Sequence, residues 1–157
     1  MSTSSATAAQ GFKAALVAAI TTLNAADANT LVSFGHPGPA ALNYANSVSV
    51  TSVDAEQDPA TLGTNRAREE VLTAEVVISC WRPGGPEMES EASDAAYALL
   101  ESIERYVRVT DTTLGGVVRH CFLRAHRSAG ATDDELLDQG RLIVVIAEFV
   151  AHVRITG

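Results

Sequence analysis

The chain has 157 residues, and 19 acidic against 11 basic side chains give it a formal charge of −8 and a pI near 4.8. With 46% hydrophobic and 19% charged residues it is too apolar for wholesale disorder. Its length fits one domain, able to bury about 70% of its unfolded surface without disulfides or metals. The acidic excess argues against a general DNA- or RNA-binding protein, whose phosphate contacts need a basic footprint.

Residues 1–8 are small and polar and are expected to be a flexible lead-in. No basic region precedes an apolar stretch there, so no secretory signal is expected. Phe12, Leu16, Ala19, Ile20 and Leu23 then recur at helical spacing, with Ser4, Ser5 or Thr7 as candidate N-caps. Residues 24–29 end this helix. Residues 31–34 read as a short strand stopped by Gly35-His36-Pro37-Gly38-Pro39, a turn whose prolines remove the amide donors a phosphate nest would need.

Residues 47–53 alternate, with Val48 and Val50 on one side, and predict a strand. Residues 54–65 contain Pro59 and Gly63 and almost no large apolar side chain, so they are expected to form a long mobile loop. Residues 68–82 are the next strand, with Leu72, Ala74, Val76, Ile78 and Cys80 on one face and Thr73, Glu75 and Ser79 on the other. Pro83-Gly84-Gly85-Pro86 breaks it. A second helix follows, with Ala92, Ala95, Ala96, Leu99, Ile103, Tyr106 and Val107 along one side. Glu87, Glu89, Glu91 and Asp94 crowd its start and Arg105 and Arg108 its end, as the helix dipole favours.

Residues 111–116 make a turn into a strand over 117–126. The chain closes with a long strand over 141–155, where Ile143, Val145, Ala147, Phe149, Ala151 and Val153 share a face. The acidic segment 132–139 joins these two strands as a hairpin connection. The order of elements predicts a single α+β domain with a largely antiparallel sheet against two main helices.

No nucleotide-binding, metalloprotease or serine-hydrolase motif occurs. Cys80 and Cys121 lie far apart on apolar stretches and read as buried small hydrophobes rather than a disulfide or zinc pair. No segment reaches the roughly 18 apolar residues of a membrane span. If the last two strands pair across residues 128–140, His126 falls near Arg141 and His120 near Ala147, while His152 lies beyond both. The strand histidines are therefore not expected to converge, and His36 belongs to the turn. Asp133, Asp134, Glu135 and Asp138 lack the spacing and glycine of an EF-hand loop and read as a solvated acidic loop. Glu75 and Glu148 are a conceivable acid–base pair, yet both fall on the less apolar strand face, and no catalytic role is assigned to them. Trp81, Tyr97 and Tyr106 are candidates to line an apolar pocket between helices and sheet.

Charge is segregated. Arg105, Arg108, Arg119, Arg124 and Arg127 face a single acid, Asp111, across residues 105–127, whereas residues 54–104 are strongly acidic. Ten of the eleven basic residues are Arg, whose planar fork suits fixed bidentate contacts; Lys13 is the exception. A subunit that meets copies of itself head to tail, positive patch on negative patch, would use such a pattern.

The element order, the Leu114-Gly115-Gly116 turn leading into Val117-Val118-Arg119, and the closing Val144-Val145-Ile146…Val150 strand with Arg154 near its end resemble the tail terminator proteins of long-tailed bacteriophages, especially those of actinobacterial hosts. The resemblance implies a structural virion protein without catalysis or cofactor, forming a ring, usually a hexamer, at the head-proximal end of the tail. Such a ring ends growth of the tail tube and joins tail to head. Its implied partners are other copies of itself, the tail tube protein and a neck or head–tail connector protein, with genomic DNA passing through the lumen without sequence-specific binding. On this reading Arg105, Arg108, Arg119, Arg124 and Arg127 are the candidate subunit interface. Asp54, Glu56, Asp58, Pro59, Leu62 and Asn65 form the candidate tube- or neighbour-contacting loop. A neck or connector component, or a small α+β ligand-binding protein, are the alternatives.

Overall fold

A computed structural model of the chain describes residues 6–60 and 67–156. The elements are α1 (Ala9–Leu23), β1 (Thr30–Ser33), a 3-10 turn (Gly38–Asn43), β2 (Asn46–Pro59), β3 (Arg68–Pro83), α2 (Met88–Arg105) continued by a wider π turn (Tyr106–Thr110), β4 (His120–Gly130), a 3-10 turn (Asp134–Leu136) and β5 (Gly140–Ile155). The five strands form one sheet in the order β1-β2-β3-β5-β4, with β1 parallel to β2 and every other pairing antiparallel. This is the single α+β domain that the pattern predicts.

The core lies on one face of the sheet. β3 and β5 pair continuously from Arg68↔Ile155 to Pro83↔Gly140. Their inward residues Leu72, Ala74, Val76, Ile78 and Cys80, with Ile143, Val145, Ala147, Phe149 and Ala151, are buried. Helix α2 buries Ala92, Ala96, Leu100, Ile103 and Val107 in the same core. Alanines on both sides of that contact let helix and sheet approach closely. The expected Ala92, Ala96, Ile103 and Val107 are all buried, and Leu100, which the spacing did not single out, joins them while Leu99 is only partly buried. Helix α1 buries Phe12, Leu16, Ala19 and Ile20 while Leu23 is exposed. Its Lys13 ammonium lies 4.2 Å above the Phe34 ring.

Three expectations are overturned. First, Asp54, Glu56, Asp58 and Pro59 are not loop but the second half of β2, paired residue by residue with β3 as far as Pro59↔Arg68. A bulge at Thr51 explains the misreading: Thr51 and Ser52 together face Glu75, and the phase of alternation flips. Val48 and Val50 point inward before the bulge and Val53, Ala55 and Gln57 after it, which sends Asp54, Glu56 and Asp58 to the outer face. Leu62 and Asn65 lie outside the described residues.

Second, residues 6–8 are not frayed. The Glu70 side chain, 1% exposed, accepts hydrogen bonds from the Ala8 amide at 2.7 Å, the Thr7 hydroxyl at 2.6 Å and the Gln57 amide at 2.6 Å. Gln57 also donates to the Ala6 carbonyl. Thr7 accepts from the Ala9 amide, so of the candidate caps Thr7 serves the helix start, and the other two lie outside the described residues. A carboxylate borrowed from β3 thus caps α1, where the helix dipole favours negative charge.

Third, β4 starts and ends later than predicted. Asp111 Oδ1 accepts from the Gly115 amide and Thr113 Oγ1 from the Gly116 amide, extending the preceding turn. Leu114, Gly115 and Gly116 all have positive φ (48°, 71° and 89°). Leu114 accepts this conformation while 3% exposed, so burial of its side chain offsets the steric cost.

Glu70→Ala leaves the Ala8 amide and Gln57 without their buried acceptor and is expected to destabilise the fold by about 1–3 kcal/mol. A lower urea midpoint at unchanged slope checks it; Glu70→Gln, which keeps one acceptor oxygen, is expected to lose less.

Candidate interaction surface

Neither α1 nor α2 covers the outer face of the sheet. Its chemistry follows from the strand register and from two bulges. On β4, Arg124 and Ala125 together oppose Glu148, so His120 and Phe122 face outward before the bulge and Arg127 after it. His126 turns inward and meets Tyr97 of α2, ring centroids 5.6 Å apart.

Arginines therefore cluster at one edge of the sheet. Arg124 pairs with Glu148 at 2.6 Å, and Arg119, just before β4, pairs with Glu69 at 2.8 Å. Both guanidinium side chains remain more than half exposed. Arg127 is exposed on β4 and has no ion pair among the described residues. Arg105 and Arg108 stand apart, at the end of α2, where Arg108 is engaged by Glu104 one turn earlier. That carboxylate raises the Arg108 pKa by hydrogen bond and charge. The five candidate arginines are thus two groups, three along the β4 edge and two at the helix end.

The opposite edge is acidic. Strand β1 covers only Asn46–Ser49 of β2. Beyond Ser49, β2 has β3 as its only strand neighbour among the described residues, and it presents Asp54, Glu56 and Asp58, all exposed.

Between the edges, Glu75 and Glu148 face each other across β3 and β5. Glu75 accepts from the Thr51 hydroxyl at 2.8 Å while Glu148 holds Arg124, so each carboxylate already has a structural partner. His120 and His152 are direct cross-strand neighbours, ring centroids 4.7 Å apart, contrary to the expected separation. The error lay in the hairpin: β4 runs on to Gly130, which pairs with Ile143, so the connection closes further along β5 than assumed. His120 Nδ1 is buried without a hydrogen-bond partner. Desolvation, then the charges of His152 and Arg119, lower the His120 pKa from 6.5. No group of three or more potential metal ligands occurs among the described residues.

Cys80 and Cys121 are both fully buried, and burial pushes their thiols up to about 11 and about 12. Trp81, Tyr97 and Tyr106 do not share a pocket: Tyr106 lines a shallow depression beside α1, and Tyr97 meets His126. Trp81 points instead to the outer face, where it lines a groove of about 460 Å³. Two segments from opposite sides wall it, the 3-10 turn after β1 with Leu42 and Tyr44, and residues 131–136. Its floor is Ser47, Ser49, Thr51, Val77 and Ser79. Gly140 lets the Trp81 ring sit where it does, since a Cβ there would lie 2.5 Å from both the ring and the Arg82 carbonyl oxygen. No sequence motif signals this groove, because its parts come from separate segments that only the sheet register brings together.

No protein-family model matches the chain, and no curated protein matches it.

Because the native state binds a proton at His120 less readily than the unfolded chain does, stability is expected to rise with pH across the window below 6.5. It falls as acidification through that window forces an imidazolium beside Arg119 and His152. Urea midpoints from about pH 7.5 down to 5 read this slope, and His120→Gln is expected to flatten it. An unchanged slope in the variant refutes the assignment.

Proposed function

We propose that the chain is the repeating subunit of a ring, hexameric by the resemblance above, that caps the tail tube of a long-tailed phage and joins tail to neck. The observation that carries the reading is the charge on the two strand edges of one sheet. The basic β4 edge carries Arg119, Arg124 and Arg127, and the acidic far half of β2 carries Asp54, Glu56 and Asp58. Through the intervening antiparallel pairings β2 and β4 run in opposite directions. The β4 edge of one copy therefore meets the β2 edge of the next as an antiparallel pair, adding main-chain hydrogen bonds to charge attraction. A head-to-tail contact of this kind closes into a ring when its rotation permits. In this reading Arg105 and Arg108 lie outside the strand contact. The carboxylates already holding Arg119 and Arg124 orient them, and exposed pairs of that kind are weak enough to exchange partners.

Native mass spectrometry and negative-stain imaging, with the chain alone and mixed with tail tube protein, test the proposal. Rings, or caps on tube ends, are expected. A chain that stays monomeric and ignores the tube overturns it. Arg124→Glu with Arg127→Glu is expected to abolish assembly while leaving the thermal midpoint within a few degrees, since exposed ion pairs contribute only about 0–1 kcal/mol. Adding Asp54→Arg and Asp58→Arg to the reversed chain is expected to restore assembly, and normal rings from the singly reversed edge exclude this interface.

A further inference from the structure

The groove over the β2–β3 end of the sheet has features that core packing does not account for. Ser47 and Ser49 are 8% and 4% exposed, and both line its floor. Neither hydroxyl has a side-chain hydrogen-bond partner among the described residues, and nor does that of Ser79, which lies directly opposite Ser47. Thr51, next along the floor, differs, because its hydroxyl is committed to Glu75. Ser47 and Ser49 are buried residues and Ser79 half-buried, yet none of their hydroxyl oxygens is sealed from the groove, so all three are free to bond the polar atoms of a ligand seated there. Strand geometry puts Ser47 and Ser49 roughly 7 Å apart, with Ser79 across from the first. The donors thus form a flat triangular array rather than a point.

The walls define the rest of the ligand. Trp81 and Tyr44 offer aromatic surface, and Leu42 and Leu136 stand exposed at the mouth, 88% and 38% accessible. No Lys or Arg lines the groove, and Asp133 lies at its rim in a chain of net charge −8, which disfavours anions. The imidazole of His36 is already used, its Nδ1 accepting from the Gly38 amide at 3.0 Å. A volume of about 460 Å³ falls within the range of small-molecule sites.

We infer that this groove is a binding site for an uncharged ring compound, whose flat apolar body packs against Trp81 and Tyr44 while its polar atoms meet the hydroxyls of Ser47, Ser49 and Ser79. The inference does not depend on ring assembly and holds for a monomer.

Trp81 is the single tryptophan of the chain, so its fluorescence reports the site directly. The probe is N-phenyl-1-naphthylamine, uncharged, with fused rings and one N–H. Its counterpart is 8-anilinonaphthalene-1-sulfonate, the same skeleton bearing an anion. Saturable energy transfer from Trp81 to the neutral probe is expected, with the sulfonate binding at least about tenfold more weakly because its charge finds no partner. Ser49→Leu fills the floor and is expected to abolish transfer. Leu42→Asp, at an exposed position that leaves folding intact, is expected to weaken binding at least about fivefold by placing a carboxylate at the mouth. Absence of transfer from Trp81, equal binding of the two probes, or equal binding by the Leu42→Asp protein overturns the inference.

Discussion

Everything in this molecule depends on one ladder, the antiparallel pairing of β3 and β5 over sixteen-residue strands. Both strands alternate strictly, and their inward residues form the floor on which α2 rests, with α1 alongside over β2 and β1. A slip of one residue would bury Thr73, Glu75 and Glu148 and expose Leu72 and Phe149, so the register is fixed by the cost of burying polar groups. Once it is fixed, the outer face follows, including the opposed carboxylates, the adjoining histidines and the position of Trp81 over Gly140. The site chemistry is thus a by-product of core packing, expressed on the other side of the same strands.

The parts of this architecture legible from sequence were those with an unbroken period. β3 and β5 alternate without interruption, and α1 shows its apolar residues at regular helical spacing. Legibility failed where one extra residue resets the phase. Across Thr51 the pattern passes from Val48 and Val50 to Val53 and Ala55, and beyond it alternation in an acidic stretch looks like no alternation at all. Arg124 does the same to β4, which together with the misjudged hairpin hid the meeting of His120 and His152. The clustering of arginines was visible in the sequence; that it splits between a strand edge and a helix end was not.

The capping of α1 was illegible for a different reason. Helix starts are normally sought among the residues just before them, whereas here the acceptor is Glu70, 62 positions downstream of Ala8. Gln57, turned inward by the bulge at Thr51, holds the other side of that carboxylate. The irregularity that obscures β2 in the sequence therefore also completes the helix cap. The groove escapes sequence reading on the same principle, since its floor, walls and mouth come from distant segments.

The exposed strand edges carry one more consequence. An unprotected edge can pair with any other edge, and two copies meeting by the same edge would form a symmetric dimer and stop. Here that encounter sets Asp54, Glu56 and Asp58 against their own duplicates, or Arg124 and Arg127 against theirs, and repulsion opposes it. Only unlike edges attract. The bulge at Thr51, by turning three carboxylates outward, therefore gives each molecule a direction: in the proposed assembly, association through these edges would be polar, with dyad symmetry disfavoured from the first encounter.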